Sequence, residues 1–120
     1  MSHIVSIQTK VRDPAALAAA CQRLGVSAPV QGTARLYSGA ATGWLVQLPG
    51  WQYPVVFDPA TGEVHYDNYQ GHWGEQAQLA RFLQLYAVEK TKLEARKKGY
   101  PVHEQTLPNG SIRLQIVEGA

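Results

Sequence analysis

The chain's pattern predicts an α+β domain in which two helices pack on one face of an antiparallel or mixed sheet. Three observations predict it. Short runs alternate apolar and polar residues, as half-buried strands do. Two other segments carry apolar residues at helical spacing. Neither helix can bury its stripe alone, so one sheet face must receive both. The element order is β-α-β-β-β-β-α-β-β, and a ferredoxin-like sandwich is the specific arrangement it suggests.

The elements follow in order. From His3 to Val11 the period is two, with His3, Val5, Ile7, Thr9 and Val11 on one side. Asp13-Pro14 then supplies an N-cap and a proline at the first helical position, where a missing N–H costs nothing. Leu17, Ala20, Cys21 and Leu24 share one helical face, and Gly25 suits a left-handed helix end, so a helix is predicted over 14–24. In 26–53, "GTARLY" and "WLVQL" read as short strands, "SGAATG" as a glycine-rich loop between them, and "PGWQYP" as a turn-rich connection. "VVFDPATGEVHYD" reads as a hairpin that turns over Asp58–Gly62. Leu79, Phe82, Leu83, Tyr86 and Leu93 mark a long second helix that Gly99 ends. The last run, "VHEQTLPNGSIRLQIV", is a hairpin signalled by Asn109-Gly110.

The chain has 120 residues, 45% of them apolar, and this suits one domain spanning 1–120. Its one cysteine excludes an intrachain disulfide and fits a reducing compartment. No apolar run approaches the roughly 20 residues that cross a bilayer, and the N-terminus lacks the apolar core of a signal peptide. A cytoplasmic location without membrane contact is the expectation. A net charge of +2 is too small to attract a polyanion through its overall field. Locally, Lys90, Lys92, Arg96, Lys97 and Lys98 oppose only Glu94 between positions 90 and 98, which makes them candidate phosphate contacts.

No catalytic motif is present. "SGAATG" lacks the lysine and hydroxyl residue of a phosphate loop and leads into a strand. The four histidines and Cys21 show no metal-ligand spacing. The start, "MSH", has the amine-to-histidine spacing that captures Cu(II) or Ni(II), an artefact risk on nickel resin. Cys21 falls on an apolar stripe, where a thiol is inert. Neither a catalytic residue, a metal nor a cofactor is therefore assigned.

The segment "YDNYQGHWGEQ" is the most unusual. Read as structure, it is a packed entrance to the second helix. Read as a site, it offers Asp67, Tyr69, His72 and Trp73 at a helix start, where free N–H groups meet anions and an exposed tryptophan anchors partners. Trp51 and Tyr53, in another turn-rich stretch, join them as candidate surface rings, with Trp44 a further ring of this kind.

"MSHIVSIQTKVRD", an alanine-rich helix closed by "LG", "YAVEKTKLEARKKGYPV" and "NGSIRLQIV" together resemble the conserved hypothetical chloroplast reading-frame family, which has plastid, cyanobacterial and other bacterial members. The resemblance covers nearly the whole chain, most clearly its two ends. It implies a stand-alone soluble protein without established catalytic residues, placed in the plastid stroma if plastid-encoded. The leading expectation is a non-enzymatic binding or accessory module that docks on a protein partner. Small-ligand or anion binding at 66–75, with an enzyme as one form of it, stands second. Nucleic-acid binding through 90–98 stands third. A homodimer through an exposed sheet edge is a further expectation.

Overall fold

A computed structural model describes residues 4–117; the "MSH" copper or nickel motif, with His3, lies outside them. Strand β1 (Val5–Gln8) leads into helix α1 (Pro14–Leu24). Asp13 caps α1: its Oδ1 accepts the N–H of Ala15 at 2.9 Å and of Ala16 at 3.4 Å. Gly25, at φ 81°, closes it, with Val26 N–H donating to Cys21 O at 3.0 Å. Strands β2 (Val30–Leu36) and β3 (Gly39–Val46) form a hairpin, as do β4 (Val55–Asp58) and β5 (Glu63–Tyr66). A single 3-10 turn, Tyr69–Gly71, precedes helix α2 (Gln76–Lys97). Strands β6 (Val102–Thr106) and β7 (Ile112–Ile116) close the chain.

Five strands make an antiparallel sheet in the order β1-β5-β4-β3-β2. The register sets Ile7 opposite Val64, and Phe57 opposite both Val64 and Trp44. These side chains share the face that meets the helices. Val55, Phe57, Val64 and Tyr66 pack there with Ala16, Leu17, Ala20 and Cys21 of α1 and with Leu79, Phe82 and Tyr86 of α2. Phe57 and Phe82 touch ring to ring, centroids 5.4 Å apart. The Tyr86 hydroxyl accepts the N–H groups of Arg12 and Asp13 at 3.1 and 3.0 Å, which ties α2 to the start of α1. The α+β class, with both helices on one face of an antiparallel sheet, is thus as the sequence predicts.

Three details of the arrangement differ. The ferredoxin-like option does not describe this sheet: four meandering strands lie between the helices, and β6–β7 forms a separate two-stranded sheet instead of joining the first. Among the described residues the first strand covers Val5–Gln8 and does not continue to Val11, as its alternation predicts. Thr9 N–H still donates in register to Gly62 O at 2.8 Å, its hydroxyl donates to the same oxygen at 2.7 Å, and Val11 N–H donates to that hydroxyl at 3.0 Å, which turns the chain away from β5 after Thr9. The "SGAATG" loop is mostly strand, since β3 starts at Gly39 and only Tyr37 and Ser38 turn the hairpin.

Glycine serves packing in β3. A Cβ on Gly43 would overlap the Phe57 carbonyl and press on Val56, and one on Gly39 would press on Ile4. Ile4 precedes β1, three strands away from β3 in the sheet. A contact across that span requires the β2–β3 hairpin to curl back over the face that the helices leave open. Ala34, Leu36 and Val56 are buried beneath it, outside the helix-side core.

Candidate functional site

The curl of the β2–β3 hairpin brings its tip to the helix entrance. Three segments meet there. The hairpin tip supplies Tyr37, the connection before β4 supplies Tyr53, and the 67–75 connection supplies Tyr69, His72 and Trp73. Trp73 is central, with ring centroids 4.9 Å from Tyr69, 5.1 Å from Tyr37 and 5.6 Å from Tyr53. Tyr69 is stacked on it, whereas Tyr53 meets it edge-on. His72 lies on the other side of Tyr69 at 4.8 Å. Tyr37 is 61% exposed, His72 is exposed, and Tyr53, Tyr69 and Trp73 are half-buried. The rings contact one another across three chain segments, and Tyr37 and His72 keep the cluster open to solvent.

The loop beneath is firmly held. Trp51 is buried at 4% exposure; its indole N–H donates to Glu75 O at 3.1 Å and its ring meets Tyr66 edge-on at 5.7 Å. Gly74 has no side chain because a Cβ there would overlap that indole. Asn68, also buried, donates through Nδ2 to Gly74 O at 3.1 Å and Gln76 Oε1 at 3.0 Å, and Gln76 in turn donates to the Tyr66 hydroxyl at 3.2 Å. Gln52 N–H donates to Trp73 O at 2.8 Å, which joins the two ring-bearing connections. Tyr69 and Gln70 adopt φ of 47° and 54°, a left-handed pair that costs about 1–3 kcal/mol per residue. The bonds of Gly71 and Trp73 N–H to Asn68 O, at 3.0 and 2.9 Å, hold them in it.

Trp51 and Asp67, expected among the surface candidates, are not at the surface. Trp51 belongs to the core because its large ring fills the gap left by Gly74. Asp67 is 1% exposed; its Oδ1 accepts Tyr69 N–H at 3.3 Å, and among the described residues no donor reaches Oδ2. Tyr53, Tyr69, His72 and Trp73 do converge. Trp44 is half-buried and packs against the helix-side core. Tyr37 is the ring that sequence reasoning missed. It reads as the end of a strand, and only the curl of the hairpin carries it to Trp73.

The basic stretch is largely neutralised. Lys90 Nζ lies 2.9 Å from Asp13 and 2.8 Å from Glu94, Lys92 lies 2.7 Å from Glu104, and Lys97 lies 3.3 Å from Glu94. Glu104 also receives Arg23, which reaches Glu89 at 3.3 Å. Arg23 and Lys92 hold the Glu104 carboxyl down at about 2, and the Lys90 ammonium lowers that of Asp13. Arg96 and Lys98 have no acidic partner among the described residues. The carboxylates outside 90–98 that supply these pairs are the α1 N-cap Asp13, Glu89 of α2 and Glu104 of β6.

Elsewhere, burial pushes the Cys21 thiol up to about 11, far from a nucleophile's range. Ser6 Oγ and His65 Nδ1 are 2.7 Å apart on exposed sheet. Among the described residues, no three His, Cys, Asp or Glu side chains cluster as metal ligands do, and no helix is long and apolar enough to cross a membrane. No family model matches the chain, and no curated protein or solved structure is significantly similar to it.

Proposed function

We propose that this protein is a non-enzymatic docking module that binds a protein partner through the ring cluster around Trp73. The observation that carries the reading is the convergence of Tyr37, Tyr53, Tyr69 and Trp73 from three chain segments, with Tyr37 left 61% exposed. Tyrosine and tryptophan give large contact areas at small cost in side-chain entropy, and rings on loops over a rigid sheet are a common form of recognition surface. The rings are locked by mutual contact and the loop by its hydrogen bonds, so little ordering remains to be done on binding.

An anion at the start of α2 is the weaker alternative, because the buried Asp67 carboxyl group occupies the same loop. A polyanion at the end of α2 is weaker again, because three of its five basic groups already have carboxylates. Pairing between copies along the β6–β7 sheet would leave the rings open, since none of them lies on β6 or β7.

Affinity capture from the native host tests the docking reading. A partner retained by the wild type should be lost with Tyr37→Ser, which removes an exposed ring without touching the core, and retained by Lys98→Gln. If Tyr37→Ser and Trp73→Ala capture the same proteins as the wild type, the ring face is not the docking surface.

A further inference from the structure

We propose that the outer edge of β7 pairs antiparallel with the same edge of a second copy of this chain, about a two-fold axis at Leu114. The two hairpins then form one four-stranded sheet. This surface shares no residue with the ring cluster, so either assignment can fail without the other.

The backbone shows which groups are free. Val117 N–H donates to Pro101 O at 3.0 Å, and Leu107 N–H donates to Ser111 O at 2.8 Å. Val102 stands opposite Ile116 and Thr106 opposite Ile112. Antiparallel alternation then puts the bonds to β6 at Arg113 and Gln115. The N–H and C=O groups of Ile112, Leu114 and Ile116 point away from β6. A two-stranded sheet is marginal by itself, and open edges of this kind template the addition of strands.

The side chains favour β7 over β6. Ile112 packs on the core, while Ile116 and Val117 remain 39% and 37% exposed. Ile116 borders a depression of about 240 Å³ with Thr91, Ala95 and Tyr100, rimmed by Lys90, Glu94 and Lys98. That depression runs into a groove of about 470 Å³ floored by Leu83, Tyr86 and Ala87. Lys90 and Thr91 border both. Beside β6, in contrast, Val102 faces Lys92 and Arg96. A strand added to β7 would extend toward the apolar groove and meet charges of both signs at its rim, whereas the depression beside β6 is lined by the cations Lys92 and Arg96.

The occupant follows from the symmetry of "IRLQI". Centred on Leu114, antiparallel self-pairing brings outward backbone groups together at every step. It sets Leu114 against Leu114, Ile112 against Ile116, and Arg113 against Gln115. No like charges face one another, and each contact off the axis occurs twice, as a two-fold interface requires. The same operation on β6 would set Glu104 against Glu104, a like-charge pair that opposes association.

Sedimentation or light scattering over a concentration series tests the pairing. The wild type should pass from monomer to dimer. Gln115 lies on the polar face, beside a depression lined by His103, Gln105 and Arg113, so changing it leaves the hairpin's packing alone. Gln115→Glu should tighten the dimer by about two- to tenfold, because each new carboxylate meets Arg113 of the other copy. Gln115→Arg should weaken it by a similar factor. Leu114→Pro removes an N–H that β6 does not use and should abolish the dimer. A wild type that stays monomeric at about 0.5 mM, weaker than the range of specific pairing, would overturn the proposal and leave the edge to a strand of another protein. A dimer indifferent to both Gln115 substitutions would overturn it equally.

Discussion

Both ends of α2 offer a candidate surface in sequence, and the folded chain treats them in opposite ways. At the N-terminal end, rings scattered between positions 37 and 73 are gathered into one cluster. At the C-terminal end, a dense run of positive charge is dispersed into pairs with Asp13, Glu94 and Glu104. Local density therefore misleads in both directions. A surface is made by what tertiary packing adds to a segment or takes from it, and a basic run facing buried-edge carboxylates is a clamp between elements.

The largest effect that would test this contrast lies at the ring end. Trp51 and Trp73 are alike in sequence context, yet one is core and the other is half exposed. Trp51→Ala should cost about 3–5 kcal/mol, as deletion of a buried ring does. Trp73→Ala should cost about 1–2 kcal/mol, because part of its surface already meets water. Urea denaturation measures both, and equal costs would erase the distinction between the core ring and the ring proposed for docking. Gly74→Ala follows in size. Its methyl must displace the Trp51 indole, an overpacking worth about 1–3 kcal/mol. A neutral result would mean that the loop is loose enough to move, and the pre-ordered ring cluster would lose its support.

The sequence makes the secondary elements legible wherever local chemistry decides them. Asp13, Pro14 and Gly25 bound α1 at its observed ends, and Asn109-Gly110 turns the last hairpin. It fails wherever a distant partner decides. The small residues of "SGAATG" resemble a loop, yet they are small because Phe57, Val56 and Ile4 press against that strand. Tyr37 carries no local sign of Trp73, and Trp51 carries no sign that Gly74 leaves room for its ring. In the same way, Lys92 is adjacent in sequence to other cations and adjacent in space to Glu104.

At the clamp end the expected effects are smaller and depend on pH. Glu104 joins α1, α2 and β6 through Arg23 and Lys92. Glu104→Gln should cost about 1 kcal/mol at neutral pH, the scale of a partly exposed ion-pair network, and less at high salt. The folded carboxyl titrates near 2 and an unperturbed one near 4.5. Its stabilisation is therefore complete above 4.5 and disappears as pH falls toward 2. The gap between wild type and variant should close over that window. A gap that persists at pH 2 would show that Glu104 acts through packing and not through charge.

The smallest expected change belongs to Lys98, which like Arg96 lacks a carboxylate among the described residues. Lys98→Gln should alter stability by no more than about 0.5 kcal/mol, because Lys98 caps α2 through its backbone N–H and its side chain is exposed. Its value lies in binding. If only Arg96 and Lys98 are available to phosphates, retention on DNA should fall with salt at a log–log slope of about −2, because each contact releases about one counterion. Such binding is lost near physiological salt, where screening acts within about 8 Å. A steeper slope would require Lys90, Lys92 and Lys97 to abandon their carboxylates for the polyanion. Glu104→Gln, which leaves Lys92 only its longer 3.6 Å pair with Glu89, should then steepen it further. That pair of results would turn the clamp into a masked nucleic-acid surface and reverse the order of the two ends; a slope near −2 that Lys98→Gln halves keeps the rings as the docking face.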